Sequence, residues 1–203
     1  MSTDSVLPIL FNEPMPESGV FTLKKSTAHL LSLVSAIDID IISHTKIYSR
    51  NLFRYLPWYK ANKGGGAITL GNKNWQSITF TENFFSADRD LYGRAAYGNN
   101  LNTWLRLTAH EVGHLGHALK YKSLPIYLIV FTYQYLLYGH DKAPLEIEAD
   151  VGRHNYVAFK NYLSNENSPS SLEDLLRSDS DEALKIQILN IWWAAYNQSI
   201  SRK

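Results

Sequence analysis

The stretch LTAHEVGHLGHALKY, residues 107–121, sets His110, Glu111 and His114 in the order His-Glu-x-x-His, with His117 three residues further on. Two histidines four residues apart stand one above the other on a single helical face. Both imidazoles then reach one tetrahedral ion at about 2.0–2.1 Å. A glutamate beside the first of them is placed to take a proton from metal-activated water rather than to bind the metal. The chemistry such an arrangement would support is hydrolysis. It needs a third protein ligand, because a catalytic zinc keeps three and leaves one position open.

His117 is the nearest candidate, but it lies seven residues past His110, about 10.5 Å of helix rise. A straight helix does not bring both to one ion, so His117 is expected to line the cleft or to hydrogen-bond nearby. The better ligand lies downstream in PLEIEADVGRHNY, residues 144–156. Glu146 and Asp150 again share a helical face. Glu146 would bind the metal through a carboxylate oxygen. Asp150, one turn on, would accept the other N–H of a ligating histidine and fix its tautomer. Glu148 falls on another face. Ala149, Val151 and Gly152 are small and apolar, which suits close packing of one helix on another.

Around these motifs the pattern is mostly helical. Leu30, Leu31, Val34 and Ile37 recur at helical spacing within residues 26–53, enough for one or two helices. Ile68 and Leu70, then Ile78 and Phe80, alternate with polar neighbours around a turn at Gly71–Asn74, the signature of a short hairpin. Residues 1–22 and 86–100 read as irregular. The histidine helix starts with Asn102 or Thr103 as its cap and runs to Tyr121. The apolar run Leu124–Tyr138 has 15 residues, four of them tyrosine. That is short of the roughly 20 needed to span a bilayer, so it is expected to be a buried or partly buried helix. Pro144 opens the next helix, which reaches about Leu163. Ser171 and Asp174 suggest a capping box, and a last helix is broken near Ser178–Asp181. The expected class is α+β, mainly helical, with a small antiparallel sheet or hairpin bordering the active-site helix. Residues 1–60 form an N-terminal segment, 61–164 the core and 165–203 a C-terminal extension, within one domain overall.

The chain has 203 residues, 45% of them hydrophobic, which is enough for one well-formed core. Net charge is +1 and the basic residues are scattered, so bulk electrostatics points to neither nucleic acid nor membrane. The absence of cysteine excludes disulfides and thiolate zinc sites. The first 19 residues lack the cationic start and apolar stretch of a signal peptide. The expected location is cytoplasmic, or secreted without such a leader.

HExxH followed on a later helix by EIEAD resembles the gluzincin metallopeptidases. The EIEAD segment is similar to the third-ligand motif of the CAAX prenyl protease and HtpX-type peptidases, without their membrane spans. Over residues 67–160 the order of hairpin, HEVGH and EIEAD is similar to compact bacterial metallopeptidase domains carried as toxin or injection-system cargo. Those usually have glutamine where this chain has His117. The resemblance implies a zincin-like fold, with Zn2+ on His110, His114 and Glu146, Glu111 as general base and proton shuttle, and Asp150 behind a ligating histidine. It also implies a cleft-bordering strand, best matched by Ser77–Thr81, to which an extended peptide adds. The implied partners are a peptide or protein substrate and an inhibitor or immunity protein.

A tetrahedral intermediate needs a donor for its oxyanion. The candidates are His154, Tyr156, Arg153, His140 and His117. His154, eight residues beyond Glu146, approximates the same helix face and is favoured. The competing reading is a non-enzymatic helical interaction module. In it a structural metal ties two helices, and the tyrosine-rich helix with Trp192 and Trp193 meets a partner. The intact Glu111 favours catalysis, since a structural ion has no use for a base.

Overall fold

The structure is a computed structural model that describes residues 7–12, 20–49, 67–80, 101–165 and 171–202. The irregular segment expected at 86–100 lies outside the described residues. A short helix α1 (Leu7–Leu10) and a two-residue strand β1 (Val20–Phe21) lie within the stretch expected to be irregular. Helix α2 (Lys25–Ser35) buries Leu30, Leu31 and Val34 of the expected face, whereas Ile37, also expected on it, lies past the helix end and is only partly buried. It stops where Ala36 turns left-handed at φ 56° and returns its N–H to the Ser32 carbonyl. Helix α3 (Ile39–His44) starts on Asp38, whose carboxylate accepts from the Asp40 N–H. Strand β2 (Lys46–Ser49) follows. Four residues are too few to reveal a strand by alternation.

Strands β3 (Ala67–Asn72) and β4 (Trp75–Phe80) form the expected hairpin, turning at Lys73 and Asn74. The sheet they belong to is larger than a hairpin and is mixed, with order β1-β2-β4-β3. β2 pairs parallel to β4 and antiparallel to β1. β4 is therefore interior, hydrogen-bonded on both sides. The segment expected to border a cleft, Ser77–Thr81, cannot receive an added strand where it is described, at Ser77–Phe80. Among the described residues the edge strands are β1 and β3, and β3 is the one paired directly to β4.

Helix α4 (Leu101–Tyr121) carries the histidines and begins before the residues expected to cap it. Helix α5 (Leu124–Tyr138) has Pro125 in its first turn, and a 3-10 turn, His140–Lys142, leads to α6 (Pro144–Asn165). Helix α7 (Leu172–Arg177) has the capping box of Ser171 and Asp174, and α8 (Glu182–Ser201) ends the described chain. One continuous cluster of buried side chains runs from Leu10 to Leu189 and so joins the outer segments to the central one. Trp104 is fully buried within it, its ring 4.7 Å from Phe80 and 5.2 Å from Phe11. Trp193 packs its edge on Phe159 at 5.1 Å, and Trp192 is half-buried against the same core.

Two small residues on each side let α4 and α6 touch backbone to backbone. A Cβ on Gly113 would lie 2.7 Å from both Cα and O of Ala149, and one on Gly152 would lie 2.6 Å from the Ala109 carbonyl. Ala149 and Gly152 are buried as expected, but Val151 is 52% exposed. Intrinsic propensity favours alanine over glycine in a helix by about 1 kcal/mol. Here the obstructing atoms are backbone and do not yield. Gly152→Ala is therefore expected to destabilise by about 1–3 kcal/mol, lowering the melting temperature by several degrees, and to weaken metal binding by forcing α6 off α4. A thermal melt with a metal titration checks this; a variant more stable than the parent would contradict it.

Candidate metal centre

The contact of α4 on α6 brings three expected ligands together. His110, His114 and Glu146 are buried, and one ligand atom from each lies within 4.8 Å of the others. His110 Nε2 is 3.3 Å from His114 Nε2 and 3.2 Å from Glu146 Oε2, which is 3.6 Å from His114 Nε2. Among the described residues this is the one group of three or more His or acidic side chains so arranged.

The outer nitrogens fix the tautomers. His110 Nδ1 lies 2.5 Å from Asp150 Oδ1, which can only accept, so His110 is protonated at Nδ1 and offers an Nε2 lone pair when neutral. Asp150 also pairs with Arg153, on the same helix. On the other side His117 Nε2 is 3.0 Å from Glu148 Oε2, and His117 Nδ1 is 3.2 Å from His114 Nδ1. Burial first, and then the like-charge repulsion a second proton would meet beside His114, hold the His117 pKa down at about 4, so it is neutral at ordinary pH. A neutral His117 donates from Nε2 to Glu148 and accepts at Nδ1 from His114, which leaves the His114 Nε2 lone pair facing inward. Two lone pairs and a carboxylate thus converge, and buried Glu146 Oε2 meets no donor while both imidazoles are neutral and unprotonated at Nε2. Acceptors facing one another out of water are costly unless a cation sits among them. Two imidazoles and a carboxylate are a donor set that fits zinc and related divalent ions.

A proton competes for the same place. Burial opposes charge on His110, but the carboxylates of Glu146, Glu111 and Asp150 outweigh it and raise its pKa to about 9. Burial likewise opposes ionisation of Glu146, yet His110 and His114 hold its pKa well below the usual carboxylate range. Below about pH 9 a metal must therefore displace a proton from His110. Apparent metal affinity is expected to rise about tenfold per pH unit from neutrality and to level off above pH 9. Calorimetric titration at pH 7 in buffers of different ionisation enthalpy should report one proton released per ion. In the metal-free chain the sign is opposite. The stability contributed by charged His110 is complete below about pH 6.5 and is lost as pH rises through about 9.

Glu111 is also buried, and its side chain is anchored from the sheet. The Thr69 hydroxyl on β3 is 2.7 Å from Glu111 Oε2 and 3.0 Å from the Glu111 carbonyl. Its single proton serves the nearer carboxylate. Thr69 carried no signal in the sequence. Glu148, read only as an acid on another face, proves to orient His117. Tyr127 of α5, hidden in an apolar run, is buried near both carboxylates. Burial first, and then Glu111 and Glu146, push its pKa far up, so the phenol keeps its proton.

The remaining candidates separate. His140 lies next to the centre, with Nε2 3.6 Å from Glu146 Oε2, and is half exposed. His154 is exposed and stands with Arg106 and Val157 at another part of the surface. Eight residues along a helix is about 12 Å of rise and about 80° of rotation from Glu146, enough to carry it off the site. Tyr156 is buried at a separate cavity beside Leu101 and Leu105, donating to Asn102 Oδ1 at 3.1 Å. Arg153 is engaged with Asp150 behind His110. No family model matches the chain, and neither a curated protein nor a solved structure matches it.

Proposed function

We propose that the chain is a zinc-dependent metallopeptidase whose centre is His110, His114 and Glu146. The observation that carries this reading is the pairing of a three-donor cluster with a buried, anchored carboxylate, Glu111, next to its first histidine. A divalent ion bound by the three donors supplies Lewis acidity, polarising a carbonyl and acidifying water. Glu111 takes the proton as water attacks and passes it to the leaving amine. Thr69 occupies Oε2, so Oε1 is the oxygen that carries the proton. Asp150 and the His117–Glu148 pair hold the two ligating rings in their tautomers. His140 is the donor adjacent to the cluster for the charge that develops on the carbonyl oxygen, in place of His154.

The peptide is presented along β3. Among the described residues its outer edge pairs with no strand, while Thr69 on the same strand contacts Glu111. An extended peptide added there lies alongside the base by main-chain bonding that tolerates many side chains. Delivery as an effector, held in check by an inhibitor, is the biological setting we propose for this activity. One observation favours a second reading. His140 Nε2 lies 3.6 Å from Glu146 Oε2, and as a fourth protein ligand it would close the site and make the metal structural. Metal-dependent cleavage of a peptide library distinguishes them: turnover supports the peptidase, and retained metal without turnover supports the structural site.

A further inference from the structure

We propose that α5 docks on the surface of a lipid bilayer, lying along the headgroup plane. The apolar run was expected to be a buried or partly buried helix; of its 15 residues Tyr127 is buried, Leu124, Val130, Phe131, Gln134 and Tyr135 are partly so, and the other nine are exposed. At 100° per residue, Leu128, Leu136, Ile129, Tyr133, Ile126 and Leu137 spread over an arc of about 180°. All are exposed, Leu136 to 78% and Ile129 to 68%. No charged residue lies anywhere in the helix, and Thr132 is the one residue in the arc that is neither apolar nor aromatic.

The shape and flanks of this surface identify its occupant. A helix packing on another helix needs an apolar stripe of about 100°. This arc is wider and convex, a ridge that an apolar solvent surrounds better than a docked segment does. Exposed Lys120 and Lys122 stand at its N-terminal end and exposed Lys142 at its C-terminal end. Asp141 is the acid at the latter end, and Glu148 is 3.9 Å from Lys120 Nζ. Lysines flanking an uncharged helix match anionic headgroups, and exposed Tyr133 and Tyr138 are suited to the interface between headgroup and hydrocarbon. At about 22 Å, the helix lies along the surface rather than through it. No helix among the described residues is long and apolar enough to cross a membrane.

The inner face of α5 forms a wall of the metal centre. Phe131 is 6.3 Å from the His114 ring, and Tyr127 stacks on Tyr121. Docking would therefore set the centre at the membrane surface. If the proposed peptidase activity holds, its substrates are peptide segments close to the bilayer; the docking itself needs neither metal nor turnover.

The test is sedimentation of the full chain with phosphatidylcholine vesicles, with and without phosphatidylglycerol, beside the double variant Ile129→Glu/Leu136→Glu. The parent is expected to pellet with both, more strongly with the anionic vesicles at low salt. The double variant should bind at least about tenfold more weakly and bind metal normally. Absence of vesicle binding by the parent, or equal binding by the variant, would overturn the proposal. It would also fail if the parent ignored vesicles but formed a dimer in light scattering that the variant lost, for the ridge would then belong to a second copy.

Discussion

Glu111→Gln is expected to lower peptide hydrolysis by about 10²–10⁴-fold while leaving metal content unchanged. The amide keeps the size of the side chain and an oxygen to accept from Thr69, which lies 2.7 Å from Glu111 Oε2. It cannot take a proton from water. Because Glu111 is not among the three converging donors, the metal has no reason to leave. A peptide-library assay with elemental analysis of the same sample reads both quantities. Loss of metal together with activity would make Glu111 a ligand instead. Full activity in the variant would remove it from the mechanism.

Glu146→Ala is expected to weaken metal binding at least about a hundredfold. Loss of an outer-shell partner of a ligand typically costs about 10–100-fold, and a directly ligating carboxylate should cost no less. The metal-free chain should remain folded. The substitution takes the carboxylate from beside His110 Nε2, 3.2 Å away, but His110 can then lose its proton and stay neutral, still held at Nδ1 by Asp150. Bound metal stabilises a fold by about 4 kcal/mol at a thousand times its dissociation constant. The parent should therefore melt several degrees higher when zinc is added, and the variant should not respond. A variant unfolded without metal would mean that Glu146 supports the fold. A full zinc response would mean that the third donor is another residue.

The parts of the centre legible in the sequence are those built by local periodicity. His110 and His114, and again Glu146 and Asp150, are each one helical turn apart, so their common facing follows from helix geometry alone. Ala149 and Gly152 hinted at a close helix crossing, and the backbone approach to Ala109 and Gly113 is that crossing. What depends on the relative placement of distant elements left no local trace. His117 meets Glu148 across 31 positions, and Thr69 meets Glu111 across 42. The same holds for the sheet, where β2 pairs with β4 in parallel through a long connection. His154 illustrates the converse error: a face shared approximately at eight residues has already drifted around and along the helix. The exposure of α5 was hidden for a different reason, since the composition of a helix fixes its affinity for apolar surroundings but not what provides them.

His110, His114 and Glu146 are proposed to hold one catalytic metal ion together. The most direct measurement is elemental analysis of the parent chain after equilibrium dialysis against zinc at pH 7. One zinc per chain, lost in Glu146→Ala and kept in Glu111→Gln, is the predicted result. A parent chain without bound zinc or any other divalent ion would contradict a metal centre and leave the cluster as a buried, proton-bridged tie between two helices.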